Sequence, residues 1–124
     1  MDEMAYYEMI DLYKSPHHFG RLDDYDLFSE ESSESCSDSF SVYIKTLDGK
    51  VRGISFQGSG CVISTVSLSK LCDFIIGKEI SIIKDLGLDD IKRLIGIDKI
   101  STNRINCALI GLETVKKAVS KRID

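Results

Sequence analysis

Four cysteines carry most of the chemical potential of this chain: Cys36, Cys61, Cys72 and Cys107, spaced by 25, 11 and 35 residues. None belongs to a CxxC pair, so spacing alone is a weak metal signal. Their settings differ. Cys36 lies in a polar stretch ahead of a strand-like segment. Cys61 lies in a glycine-marked turn between strand and helix, and Cys107 at the start of the final helix. The first turn of a helix offers unpaired N–H groups and partial positive charge, which favour the anionic sulfur that binds metal or accepts sulfur. Cys72 falls instead on an apolar helical stripe, where free cysteine acts as a packing residue. Asp38 follows Cys36 by two residues. In an extended chain, side chains at i and i+2 point the same way, so this pair can offer sulfur and oxygen to one ion. Three thiolates and one carboxylate complete a tetrahedral set for zinc or an iron–sulfur species. The competing reading of the same spacing is three unrelated cysteines.

Several elements must position these residues. Residues 3–14 read as a short amphipathic helix with a stripe of Met4, Tyr7, Met9, Ile10, Leu12 and Tyr13, ending before Pro16. Residues 21–38 are acidic and serine-rich and read as a flexible loop with a poor edge strand near Tyr25–Phe28. Residues 39–58 read as a hairpin turning at Asp48-Gly49, with Phe40, Val42, Ile44, Ile54 and Phe56 on its apolar side. Ser64 or Thr65 is placed to cap a helix that runs to about Ile76, with Leu68, Leu71, Cys72 and Ile75 inward and Gly77 at its end. Two short helical pieces over 80–97 follow, the second starting at Asp89 or Asp90. After a polar connection over 98–106, a final helix spans about Cys107–Lys121. The expected architecture is α+β: a small, about three-stranded antiparallel sheet with helices on one face and the metal site at one end.

Composition bounds the rest. The chain has 124 residues, 43% hydrophobic and 29% charged, which fits a single domain over 1–124 and excludes collagenous or wholly disordered classes. No apolar run approaches the ~20 residues of a membrane span. The acidic start lacks a secretory pattern, so the expected location is the cytoplasm, where stable disulfides are disfavoured. With 16 basic and 20 acidic residues, no excess of positive charge points to nucleic acid. The charge is uneven: residues 1–38 carry 11 acids against Lys14 and Arg21, and the remainder is net positive.

Four segments together resemble a known family. Tyr6 to Gly20 is similar to the N-terminal helix and "HYxNPRNxG" turn of IscU-type iron–sulfur cluster assembly scaffolds, a family that includes the N-terminal domain of NifU and the SufU proteins. Cys36-Ser37-Asp38 resembles its "CGD". Phe56-Gln57-Gly58-Ser59-Gly60-Cys61-Val62-Ile63-Ser64 resembles "FxGxGCxIS", and Asn106-Cys107-Ala108-Leu109 resembles "HCSxL". The resemblance covers nearly the whole chain. It implies that Cys36, Asp38, Cys61 and Cys107 hold a [2Fe–2S] cluster, convertible to [4Fe–4S], on a scaffold that is not itself a catalyst. It implies a cysteine desulfurase as sulfur donor, with Cys107 or Cys36 as sulfur acceptor. It further implies apo-proteins as recipients and self-association when a cluster is bound. The alternative is a zinc-bound, SufU-type sulfur-transfer partner of the desulfurase. Carboxylate is a harder and weaker ligand for iron–sulfur species than thiolate, so Asp38 would keep a cluster labile.

Departures from the pattern are specific. Ser37 replaces the glycine of "CGD", and Asn106 replaces the histidine, as in SufU-type members. Yet Cys61 and Cys107 are 46 residues apart, which lacks the SufU-type insertion. The "LPPVK" chaperone-binding stretch is missing, with only Arg104 where its lysine would be. His17-His18 reads as a pair of solvated turn residues, because adjacent histidines rarely converge on one ion.

Overall fold

The computed structural model describes residues 3–33 and 38–121. In chain order the elements are α1 (Glu3–Lys14), β1 (Leu27–Ser32), β2 (Ser39–Leu47), β3 (Lys50–Ser59), α2 (Val62–Ile75), α3 (Ile80–Lys84), α4 (Leu88–Ile95), a 3-10 turn (Thr102–Arg104) and α5 (Ile105–Ser120). The three strands form one antiparallel sheet in the order β1-β2-β3.

The β2–β3 hairpin turns where expected. Asp48 and Gly49 have φ of 55° and 76°, the two successive left-handed residues that suit the twist of a two-residue hairpin. A register shift at Lys45/Thr46 changes which face the odd positions of β3 meet. Val51 therefore joins Ile54 and Phe56 in the core beside Phe40, Val42 and Ile44. This inner face carries the helices. The pair α2 and α5 cross so closely that a Cβ on Gly111 would lie 2.9 Å from the Leu68 Cβ.

Two expectations need correction. The stretch over 21–38, read as a flexible loop with a poor edge strand near Tyr25–Phe28, contains a full strand two residues further on, β1, paired from Leu27↔Ile44 to Ser32↔Ser39. Its acids and serines hid it, because only Leu27 and Ser29 point fully inward and the sheet supplies the order through backbone hydrogen bonds. The chain ahead of it is also built in. His18 and Gly20 bond the backbone of Phe56 at the free edge of β3, Leu22 reaches Gly53, and Tyr25 packs on Tyr43. Asp26 then anchors the crossing by accepting Thr46 N–H at 2.9 Å and Thr46 O–H at 2.5 Å. Residues 19–26 thus strap the outer sheet face.

The second correction concerns α1. Only Met9 and Leu12 of its stripe are buried, whereas Met4, Tyr7 and Tyr13 are exposed. The helix packs chiefly on α2, which covers only a narrow stripe. His17 and His18 are turn residues, as expected, but both reach Asp73 on α2. No helix among the described residues is long and apolar enough to cross a membrane.

Candidate metal and sulfur site

The site forms where β3 runs into α2, beside the entries to β2 and α5. Cys61 itself is the N-cap of α2, one turn earlier than the Ser64 or Thr65 expected from the sequence. Its Sγ accepts Ser64 N–H at 3.4 Å, its carbonyl accepts Ser64 O–H at 3.0 Å, and α2 begins at Val62. Cysteine replaces the usual oxygen cap, and Ser64 spends its hydroxyl on the same junction. The consequence is a sulfur held at the positive end of a 14-residue helix.

Asp38 lies immediately before β2 and is 1% exposed. Its Oδ1 accepts Cys61 N–H at 3.0 Å, tying the two segments together. Its Oδ2 is buried without a hydrogen-bond partner among the described residues. A buried carboxylate oxygen left in this state is costly, and a cation is one of the few things that satisfies it. Gly60 makes the approach possible. A Cβ there would collide with Ser64 Oγ, lie 2.8 Å from Asp38 Oδ1 and lie 2.9 Å from the Phe40 ring.

Cys107 enters from the other side, in the first turn of α5, and is 1% exposed. One ligand atom each from Asp38, Cys61 and Cys107 lie within 4.8 Å of one another. The elements therefore bring together three of the four residues singled out from the sequence. Cys36, the fourth, lies outside the described residues. Cys72 is fully buried on α2 and is not among them. Burial first, and then the nearby Asp73 charge, push its thiol well above the ordinary range, as suits a packing residue.

Arg104 was legible only as a departure from a chaperone motif, and its contact with the sulfurs was missed. The charge and hydrogen bond of Cys61, followed by those of Cys107, push its guanidinium above its ordinary value. Its position three residues ahead of Cys107 was the available clue, since i and i+3 share a helix face. Asn106, next to Cys107, has a different setting. It lines a small polar cleft of about 130 Å³ with Glu31, Ser32, Ser33, Ile110 and Glu113.

Two thiols and a carboxylate with one unmet oxygen make a mixed sulfur–oxygen donor set, beside a guanidinium that supplies positive charge but no ligand atom. The set suits a borderline or soft cation such as zinc or iron better than magnesium or calcium.

The family described as "NifU-like N terminal domain" matches residues 5–122. The chain is 32% identical over 135 residues to "Iron-sulfur cluster assembly scaffold protein IscU" of Thermotoga maritima, covering 96% of this chain and 95% of that protein. It is 30% identical to "Zinc-dependent sulfurtransferase SufU" of Bacillus subtilis, covering 98% and 92%. In fold it is similar to a putative SUF-system scaffold from Fervidobacterium islandicum, with a TM-score of 0.77 at 21% identity over 96% of this chain and 99% of that one.

Proposed function

Since the chain belongs to the NifU-like N-terminal domain family, we propose that it is a scaffold on which an iron–sulfur cluster is assembled from iron and sulfur and then passed to apo-proteins. The observation that carries this reading is the convergence of one ligand atom each from Asp38, Cys61 and Cys107 within 4.8 Å, with Asp38 Oδ2 buried and without a hydrogen-bond partner among the described residues. Cys36 is the proposed fourth ligand. Cysteine desulfurase is the proposed sulfur donor, with Cys107 or Cys36 receiving the sulfur. The cargo is a [2Fe–2S] cluster, and cluster-bound chains self-associate. The residues have separable tasks. Cys61 is fixed by the α2 cap, Asp38 is fixed by Cys61 N–H, and Arg104 holds positive charge against the two sulfurs.

A second reading, a zinc-bound sulfur-transfer partner of the desulfurase, draws on the resemblance to SufU and on Asn106 in place of a titratable residue. Metal analysis of freshly purified protein, beside anaerobic reconstitution with iron and sulfide followed by absorbance, separates the two. A cluster chromophore that transfers to an apo-acceptor is the expected result. Zinc that iron and sulfide fail to displace would shift the assignment to the second reading.

A further inference from the structure

The turn after α1 is fastened to α2 by two imidazoles on one carboxylate. His17 Nδ1 lies 2.7 Å from Asp73 Oδ2, and His18 Nε2 lies 2.8 Å from Asp73 Oδ1. The backbone is committed to this arrangement. His18 has a φ of 64°, a left-handed conformation uncommon outside glycine. His17 N–H donates to Ser69 Oγ at 2.8 Å, and the Ser69 hydroxyl is 3.4 Å from the His17 carbonyl. One residue further on, Phe19 packs edge-on against Phe56. Because α1 rests on α2 through the narrow stripe of Met9 and Leu12, the turn at its end has leverage over the whole helix.

The charges around the clasp are few. Glu8 and Asp11 of α1 and Lys70 of α2 line, with His17, a cleft of about 480 Å³ between the two helices. Arg21 and Asp23 pair with each other at 3.5 Å. From β3 the turn meets the backbone of Phe56. With neutral imidazoles, three carboxylates face one ammonium; two added protons balance them. Burial pushes the Asp73 carboxyl up, but the hydrogen bonds of His17 and His18 and then their charges outweigh it and hold the carboxyl below its ordinary value. Asp73 therefore stays ionised across the range in which imidazoles change charge. Neutral imidazoles still donate N–H to it, but charge-assisted hydrogen bonds are the stronger kind.

We propose that His17, His18 and Asp73 form a proton-operated clasp: protonated, it holds α1 against α2, and neutral, it lets the helix open more often, uncovering Met9, Leu12 and the cleft. The inference is independent of what the cysteine site carries.

Hydrogen exchange of the full chain at pH 5.5 and 8.0, with chelator present and rates corrected for intrinsic exchange, tests it. Amides of α1 and the turn are expected to open about three- to tenfold more at the higher pH, the scale of two partly exposed ion pairs. Those of α5 should not change. Asp73→Asn, which keeps the shape without the charge, should flatten the response. The double variant His17→Gln/His18→Gln should do the same and serves if Asp73→Asn fails to fold. An α1 response that persists in a folded variant, or a wild-type α1 indifferent to pH, overturns the proposal.

Discussion

Cys72 and Cys107 sit on the two helices that cross at Leu68 and Gly111, and they expose 0% and 1% of their surface. By burial alone they are the same residue. Their surroundings differ completely. Cys72 lies in the apolar core, on the stripe of α2 with Leu68, Leu71 and Ile75, where desolvation keeps it a thiol. Cys107 lies in the first turn of α5, near Cys61 and the Asp38 carboxylate and beside Arg104. Polar neighbours at an element end, not depth, separate a candidate ligand from packing material.

The sharpest way to break this comparison is alkylation of chelator-treated protein near pH 8. Cys61 and Cys107 should react in the native state, Cys107 through local opening at the 3-10 turn. Cys72 should react only through global unfolding, slower by a factor on the order of 1,000 or more for a stable domain. Equal rates for Cys72 and Cys107, read by mass spectrometry of peptides, would mean that burial does decide.

Metal retention comes next in size. Cys107→Ala is expected to weaken zinc binding by more than about a hundredfold, beyond the 10–100-fold typical of losing an outer-shell partner. Cys72→Ala should leave it unchanged. Competition with a chromophoric chelator measures both, and metal loss in Cys72→Ala would erase the distinction.

Gly60→Ala probes the junction that brings Asp38 to Cys61. Its methyl would be forced against Asp38 Oδ1, Ser64 Oγ and Phe40. Overpacking of this kind costs about 1–3 kcal/mol. Denaturant unfolding should show that loss, and metal affinity should fall with it because the carboxylate is displaced. Full stability would show that the backbone can yield and that the glycine is not what positions the site.

How much of this was readable before the fold is itself uneven. The hairpin was legible because Asp48-Gly49 and the alternation from Phe40 to Ile44 are local signals. The assignment of Cys72 to the core also held, from helical periodicity, and Asp38, singled out by its spacing to Cys36, lies beside Cys61 and Cys107. What escaped was decided by partners distant in sequence. The extent of β1, beyond the poor edge strand expected near Tyr25–Phe28, is owed to β2 and not to its own serines and glutamates. The exposed face of α1 followed from its packing chiefly on α2. Val51 reached the core only because of the register shift at Lys45/Thr46. Cys61 displaced Ser64 as the cap because Asp38 holds its N–H. The clasp joins residues 55 and 56 positions apart, a distance no local pattern spans.

The smallest effect concerns Cys72 itself and isolates what its sulfur contributes. Replacing a fully buried cysteine with alanine removes one polarizable atom and leaves a small void, worth about 1 kcal/mol. The melting temperature should drop by a few degrees for a chain of this size. Cys72→Ser keeps the volume closer but sets a hydroxyl among Leu68, Leu71 and Ile75. In a helix that hydroxyl can turn back to the carbonyl four residues earlier, here Leu68, as Thr114 does to Ile110 at 2.7 Å in α5. The serine variant should therefore be less stable than the alanine variant by under about 1 kcal/mol rather than by the larger penalty of an orphaned polar group. A serine variant more stable than wild type would show that the pocket around Cys72 already favours a polar atom, and the apolar half of the comparison would fail.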